Sequence, residues 1–95
     1  MSYYFIANIK IKDPEEYQVN IQNAGEVFRK YNGKYLAIDN DPLVLEGSWE
    51  YSRHVIIEFN SKEDFKAWYY SNEYQKIHKF RLNAAVCDTV LVEGL

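Results

Sequence analysis

Glu58 is the acidic residue whose position most favours chemistry. It interrupts the apolar run 55–59 on a predicted strand, so we expect it to face a partly covered surface on the same side as His54. A carboxylate withdrawn from water has a raised pKa and can act as a general base near neutral pH. An ion pair with Arg53 or Arg81 of either subunit explains the same residue without catalysis, and this structural role is the favoured interpretation.

Trp68, Tyr69 and Arg81 are candidate ligand-binding residues in the last third of the chain. A phenol donates a hydrogen bond, and a guanidinium holds a carboxylate through two parallel N–H groups. Packing explains the aromatic pair equally well, because both residues share a predicted helix face with Phe65. Arg81 can instead pair with Asp88 or remain solvated at the end of its helix.

Trp49 is a further candidate, because it closely follows Gly47 on the connection before the third predicted strand. A tryptophan there can line a ligand cleft or cover the edge of a partner subunit. Aromatic side chains anchor many interfaces, so the interface is the favoured interpretation.

Composition excludes several functional classes. Eleven basic and fourteen acidic residues give a net charge of −3 without a basic stripe, so we expect no nucleic-acid partner. No apolar run approaches the roughly 18 residues of a membrane span, and we expect a cytoplasmic protein with no membrane partner. The lone Cys87 excludes an intramolecular disulfide and a cysteine-rich zinc site. Glycine-rich phosphate loops and metal-binding motifs are also missing from the sequence, so we expect no cofactor.

Strand and helix patterns alternate along the chain. Asp13–Pro14 starts the first helix, Asn32–Gly33 ends it, and Ser61–Asp64 is a capping box for the next, which Ser71–Asn72 interrupts or recaps. Predicted strands cover 3–11, 34–38, 53–59 and 86–93, with a short strand or arm at 43–47 and a last helical segment at about 73–84. The first helix carries one apolar stripe, formed by Tyr17, Ile21, Ala24, Phe28 and Tyr31.

The order β-α-β-β-α-β predicts a ferredoxin-like α+β fold in a single domain spanning residues 1–95. In this fold a four-stranded antiparallel sheet carries its helices on one face only. The chain is 47% hydrophobic and 17% aromatic, which is more large side chain than one small core can bury. We therefore expect a homodimer that covers the other sheet face.

With these segments placed, the chain resembles the family called domain of unknown function 1330, a branch of the dimeric α+β barrel superfamily. The resemblance implies two protomers that join their sheets, and no established activity. The chain departs from the family pattern at Asn32, Ile38 and Asn72, and an anion-holding role of the usual basic residue at position 38 does not carry over. The matching segments span almost the whole chain: 13–17, 33–36, 45–49, 55–59, 67–71, 73–75, Arg81 and 90–94.

Members of that superfamily bind small, often aromatic ligands between sheet and helices, and some are cofactor-free monooxygenases. Asn8, Trp68 and His78 are similar to the triad of its haem-degrading members. The resemblance would make His78 an iron ligand and Asn8 a hydrogen-bonding group near bound dioxygen. A lone histidine on a helix is more often a packing or surface residue, and this is the favoured interpretation of His78.

The sequence thus predicts a cleft between helices and sheet that binds, and as an enzyme converts, a small organic molecule without a bound metal. Glu58 would then be the base for proton transfer or cofactor-free oxygenation. Haem binding or degradation is one alternative. A non-catalytic metabolite-binding or assembly module is another, and its cleft would be filled by tyrosines and Trp68. The residues expected to line the cleft are Tyr4, Ile6, Asn8, Trp68, Tyr69 and Glu58.

Overall fold

The computed structural model describes the backbone of residues 2–21 and 24–95, and the side chains of these residues except 19–21, 24–26 and 80. The described elements follow the predicted order, with boundaries close to those expected. The predictions for Ile21 and Ala24 on the apolar stripe lie outside the described side chains. The elements are β1 (Tyr3–Ile11), α1 (Pro14–Ile21), α2 (Ala24–Arg29), β2 (Lys34–Asp39), β3 (Arg53–Phe59), α3 (Lys62–Tyr69), α4 (Asn72–Ala84) and β4 (Ala85–Glu93).

The four strands form one antiparallel sheet in the order β2-β3-β1-β4, which confirms the ferredoxin-like fold. Phe5 on the central strand β1 lies opposite Ile57 on one side and Leu91 on the other. The protein measures 32 × 31 × 15 Å. Its small thickness corresponds to one sheet and one helix layer, so the second sheet face is not covered within the protomer.

Side chains on the two central strands alternate between the two faces of the sheet. Phe5, Ala7 and Ile9 of β1 are buried against the helices, and every second residue of β3 from Val55 to Phe59 joins them. Trp68 of α3 and Tyr74 of α4 pack onto this face. We refer to it below as the covered face, and to the opposite side, with Tyr4, Ile6, Asn8, His54 and Glu58, as the open face.

Short polar side chains start three of the described helices. The amide of Glu16 donates to the Asp13 carboxylate at 3.2 Å, so Asp13 caps α1 as predicted. The Ser61 hydroxyl accepts from the Asp64 amide at 3.1 Å, which confirms this residue as the cap of α3. Ser71 recaps the chain as α4, because its hydroxyl accepts from the Tyr74 amide at 3.1 Å. This second cap turns the chain and brings Tyr74 beside Trp68.

Asn32 and Gly33 end the helical segment before β2. Asn32 has a positive φ of 65°, a left-handed conformation that asparagine tolerates better than most residues, which explains why it can replace glycine here. Gly33 is needed for a different reason, namely close packing. A Cβ at this position would lie 2.5 Å from Cδ2 of Phe28 and 2.9 Å from the Phe28 carbonyl oxygen.

The segment 40–52 connects β2 to β3 without helix or strand, and we refer to it below as the arm. The element predicted at 43–47 as a short strand or arm is therefore part of this arm and not a strand. Leu43 and Leu45 are each 85% exposed on this arm. No helix in the described part of the chain is long and apolar enough to cross a membrane.

Candidate functional site

A cavity of about 90 Å³ lies between the helices and the covered face of the sheet. Its floor is formed by β1 and β3, and its roof by residues of the helices. Arg81, Trp68 and Tyr74 are buried at its inner end, whereas Arg53 and Tyr35 are half-buried toward solvent. The described lining residues are Phe5, Ala7, Ile9, Tyr17, Phe28, Tyr35, Arg53, Val55, Ile57, Trp68, Tyr74, Ile77 and Arg81.

Four buried polar atoms of the described residues lack a hydrogen-bond partner, and all four belong to residues that line this cavity. They are Nε of Arg53, Nε1 of Trp68, the hydroxyl of Tyr74 and Nε of Arg81. A buried polar group without a partner costs about 1–3 kcal/mol, and native proteins contain few of them. Their concentration around one cavity makes this cavity the candidate functional site.

Arg81 is the most unusual member of this set, because its side chain is only 8% exposed and no described ion pair involves it. A buried guanidinium keeps its charge, because arginine does not lose its proton in proteins. Its carbon Cζ lies 5.6 Å from the centroid of the Tyr74 ring. This cation–π contact stabilises the buried charge by about 1–2 kcal/mol, whereas the desolvation of an unpaired charge costs several kcal/mol. Among the described residues, no carboxylate therefore compensates the positive charge of Arg81.

Tyr74 supplies a phenol that stays protonated over the physiological range. Burial raises the pKa of Tyr74 to about 12. The nearby Arg81 guanidinium lowers it by less, through its charge and through an approach to the hydroxyl that does not reach hydrogen-bond geometry. Burial also raises the pKa of Tyr17 and of Tyr35, against the lowering effect of Arg53. These phenols can therefore act as neutral hydrogen-bond donors.

Arg53 brings a second guanidinium to the outer end of the cavity. Its Nη1 donates to Oδ1 of Asn40 at 3.0 Å, and its Cζ lies 5.9 Å from the centroid of the Tyr17 ring. The contact with Asn40 fixes the side chain from the side of the arm. Both arginines thus line one cavity, and none of its described lining residues is an aspartate or a glutamate.

The aromatic residues at the inner end form a tightly packed wall. The rings of Trp68 and Tyr74 are 4.1 Å apart, and Trp68 also packs on Phe5 at 5.2 Å and on Phe59 at 5.3 Å. Tyr69 lies beside this wall rather than in the cavity lining, and its ring stacks on Phe65 at 5.4 Å. Such packing holds Nε1 of Trp68 in a fixed direction.

The sequence-based composition of the cleft is wrong for four of its six residues. Tyr4, Ile6, Asn8 and Glu58 lie on the open face, because the buried residues of β1 and β3 alternate with them. Only Trp68 lines the cavity itself, and Tyr69 lies next to it. A base at Glu58 would act on the opposite side of the sheet from this cavity.

Two pairs of polar groups at the open face are hydrogen-bonded within the protomer. Nδ1 of His54 and Oδ1 of Asn8 are 2.6 Å apart, and the Tyr51 hydroxyl donates to Asp88 at 2.5 Å. The alternative in which Arg81 pairs with Asp88 is therefore wrong, since the carboxylate is on the open face and bonded to Tyr51.

The structure does not assemble the haem-type triad within a protomer. Asn8 is on the open face and hydrogen-bonded to His54, whereas Trp68 is on the covered face. His78 is half-buried, its ring stacks on Tyr74 at 5.6 Å, and burial lowers its pKa. These contacts agree with the packing role expected of His78.

Trp49 lies on the arm, away from the cavity. Its ring contacts Tyr51 at 5.2 Å and His54 at 5.7 Å. Together with His54 and residues 42–46, it lines a shallow depression of about 300 Å³ beside the open face. The structure thus separates Trp49 from Trp68 and Arg81, the two candidates that it brings together.

Arg53 is a lining residue that sequence reasoning treated only as a possible ion-pair partner. Strand alternation contained the signal, because Arg53 is two residues before Val55 and four before Ile57, both of which face the helices. A charged residue in phase with a buried strand face is a candidate for a site. Tyr17 was recognised only as part of an apolar stripe.

The model of the family described as domain of unknown function 1330 (DUF1330) matches residues 2–95. The chain belongs to this family. No protein of curated function matches the sequence. Membership confirms the resemblance noted from the sequence, and the family's description assigns no activity.

Solved structures similar to this DUF1330 protein share its fold at low sequence identity. A protein of unknown function from Rhodopseudomonas palustris has a TM-score of 0.82 and 19% identity, covering 99% of this chain and 82% of its own. A dimeric ferredoxin-like protein of unknown function from Jannaschia sp. has a TM-score of 0.80 and 8% identity, covering 99% and 100%. SnoaB, a cofactor-independent oxygenase from Streptomyces nogalater, has a TM-score of 0.72 and 12% identity, covering 99% and 93%. At these identities the likeness establishes the fold alone.

Proposed function

We propose that this DUF1330 protein is a homodimer that binds a small organic molecule in the cavity between its helices and sheet. One observation carries the proposal: all four partnerless buried polar atoms of the described residues belong to residues that line this cavity. A module that only assembles would fill the space with side chains and satisfy its polar groups internally. Trp68 and Tyr74 instead leave a cavity between them and the sheet.

Binding is tested by filling the cavity. Ala7 is buried on the cavity floor, and Ala7→Leu would project three additional carbon atoms into it. Ala67→Leu is the control, because Ala67 is exposed on α3, away from both the cavity and the open face. A library of neutral, cationic and anionic fragments is screened by thermal shift and native mass spectrometry against all three proteins.

We expect compounds that bind the wild type and the Ala67→Leu variant and lose affinity for a folded Ala7→Leu variant. If Ala7→Leu does not fold, Ala7→Val fills less of the space and serves in its place. Compounds that bind all variants equally, or no compounds at all, would contradict the cavity as the site.

The homodimer is supported by the apolar character of the open face. Val86, Val90 and Val92 on β4 are exposed there, beside Ile6 and Ile56 of the central strands. The Jannaschia protein with the same fold is described as dimeric. A second copy that covers this face would remove these side chains from water, and each Å² of apolar surface buried would stabilise the dimer by about 25 cal/mol.

A pair of lysine substitutions tests this interface. Val90 is 56% exposed on the open face, and Leu82 is 50% exposed on α4. We expect Val90→Lys to yield a monomer by light scattering and Leu82→Lys to remain a dimer. Equal masses for the two variants would contradict assembly through the sheet.

Conversion of the bound molecule is a second candidate, and the unpartnered donors favour it. Fixed N–H and O–H groups directed into a water-poor cavity stabilise negative charge that develops on a substrate oxygen. The likeness to SnoaB is compatible with such chemistry but shows the fold only. The test is proton exchange in heavy water at the carbon next to the carbonyl of a bound ligand, followed by NMR. A buffer base takes the proton, because the described lining contains no carboxylate, and the fixed donors stabilise the enolate oxygen. Exchange that Trp68→Phe slows at saturating ligand supports conversion, and exchange at the uncatalysed rate leaves binding alone.

A further inference from the structure

We propose that the cavity recognises a small monocarboxylate, held between the guanidinium groups of Arg53 and Arg81 with its apolar stem against the aromatic wall. This inference rests on the cavity being the binding site and adds the chemical class of the ligand. It derives from the types of the unpartnered atoms, the charge of the lining, its apolar area and its size.

The unpartnered atoms require an acceptor. Three of the four are N–H groups of Arg53, Trp68 and Arg81, which can only donate. Donors cannot satisfy one another, and the one hydroxyl, that of Tyr74, can accept from only some of them. A carboxylate is an acceptor with about four lone-pair positions on two oxygens. It therefore matches the number and the kind of groups that line the cavity.

The charge of the lining points the same way. Both guanidinium groups line the cavity, and its described lining residues include no carboxylate. Arg81 is buried, so water does not screen its charge as it would at the surface. A neutral ligand would satisfy the donors but leave this charge uncompensated, whereas an anion satisfies both.

The remaining lining distinguishes an organic acid from an inorganic anion. Phe5, Ala7, Ile9, Val55 and Ile57 present only hydrocarbon to the cavity. Phosphate and sulfate need polar groups on all sides, and proteins commonly bind them with backbone N–H groups at glycine-rich turns. A carboxylate has a charged end and an apolar end, which corresponds to the two kinds of surface present here.

Cavity volume limits the length of the stem. An apolar cavity of about 150 Å³ accommodates benzene, with its six carbon atoms. The cavity here measures about 90 Å³, so in proportion it encloses roughly four heavy atoms. Acetate, with four heavy atoms, fits this limit, and propionate exceeds it by one atom. Longer acids exceed the volume further and gain less from each added carbon.

Matched acids and amides test the inference. Acetate, propionate, butyrate and hexanoate are titrated into the wild-type dimer by calorimetry, beside propionamide and inorganic phosphate. A ligand so small binds weakly, in the millimolar to upper micromolar range. We expect affinity to rise from acetate to propionate and to level off by butyrate, with propionamide at least about 10-fold weaker than propionate.

Two charge-removing variants locate the carboxylate. Arg81→Gln and Arg53→Gln should each weaken propionate by about 10-fold or more while changing propionamide little. Arg53→Lys keeps the charge but loses the planar guanidinium, so its affinity for propionate should lie between those of Arg53→Gln and the wild type. Because Arg53 is half-buried, its variants remain informative if Arg81→Gln does not fold.

The outcomes separate this inference from the proposed function. Propionamide binding as tightly as propionate, or phosphate binding more tightly, overturns the monocarboxylate and leaves the cavity as a site. The same holds if only a neutral or cationic fragment binds and Ala7→Leu blocks it. If no fragment of any class shows binding that Ala7→Leu abolishes, both the monocarboxylate inference and the proposed binding function are overturned.

Discussion

The two faces of the sheet differ in whether their polar side chains have hydrogen-bond partners within the described part of the protomer. On the open face, Asn8 is hydrogen-bonded to His54, and Tyr51 to Asp88. On the covered face, four buried polar atoms of Arg53, Trp68, Tyr74 and Arg81 have no partner among the described residues. Burial without partners is the more costly arrangement, so it calls for a ligand that supplies what the protein lacks.

The apolar side chains show the reverse contrast. On the covered face Phe59 is completely buried, whereas on the open face Val90 is 56% exposed. Exposed valines on a sheet face are explained by a second protein surface, and unpartnered donors around a cavity by a small molecule. The pleat of the two central strands therefore places the proposed dimer interface and the proposed ligand site on opposite faces of the sheet.

Truncating one apolar residue on each face should give the largest difference. Phe59→Ala removes a fully buried ring and should lower the free energy of unfolding by about 3–5 kcal/mol. Val90→Ala should cost less than about 1 kcal/mol, and only at protein concentrations at which the dimer forms. Urea unfolding at several protein concentrations measures both. A cost for Val90→Ala that is independent of concentration would place Val90 in the protomer core instead.

The two glycines sharpen the contrast between packing and conformation. Gly33→Ala would place a Cβ against Phe28 and should destabilise by about 3 kcal/mol. Gly47, on the arm, has a φ of 82° and no atom within 4 Å of a built Cβ. Gly47→Ala should therefore cost only about 1 kcal/mol of backbone strain. Thermal unfolding of the two variants checks this, and an equal cost would mean that the arm is packed as tightly as the region around Gly33.

Alkaline unfolding should report the burial of Tyr74. Its pKa is about 12 in the folded protein against a reference of 10.0, so between these values the folded state binds more protons than the unfolded state. Stability should fall as pH rises through this window, by about 2.7 kcal/mol for a shift of two units. The titratable or charged neighbours that act on it are Arg81, Tyr69 and Cys87.

The measurement is the difference in unfolding free energy between pH 9 and pH 12 for the wild type and Tyr74→Phe. The variant should lose less stability over this range, although Tyr17 and Tyr35 contribute in both proteins. Tyr70→Phe removes an exposed hydroxyl and should reproduce the wild-type loss. An identical loss in the Tyr74 variant would show that this phenol is accessible to solvent.

The smallest effect is expected for the hydrogen bond on the open face. Asn8→Ala and His54→Ala should each cost about 1 kcal/mol, and the double variant little more than either, because the half-buried bond is shared. A double-mutant cycle by urea unfolding measures the coupling. Additive costs would mean that the two side chains act independently.

Sequence patterns predicted the fold closely, for reasons that particular residues show. Asp13, Ser61 and Ser71 cap helices where expected, because caps depend on local backbone geometry. The alternation of side chains along β1 follows from strand geometry alone. Periodicity alone does not say which of two largely apolar faces the helices cover, and the wrong choice placed Asn8 and Glu58 in the cleft.

Arg81 shows what sequence could and could not predict about the site. Its guanidinium was a candidate carboxylate clamp from residue type alone, and the structure places it in the cavity. Its burial depends on how α4 packs against α1 and β4, which the sequence of one helix does not contain. The convergence of Arg53 and Arg81 joins residues 28 positions apart and emerges only from the tertiary fold.

The two tryptophans provide the most direct test, because Trp68 lines the cavity and Trp49 lies beside the open face. In a proton–nitrogen correlation NMR spectrum each indole N–H gives one signal, and the Trp49→Phe variant assigns them. Titration with propionate should shift the Trp68 signal to saturation, as its unpartnered Nε1–H gains an acceptor, and leave the Trp49 signal in place. A Trp68 signal that stays fixed up to molar propionate, whether or not the Trp49 signal moves, would contradict carboxylate binding on the covered face.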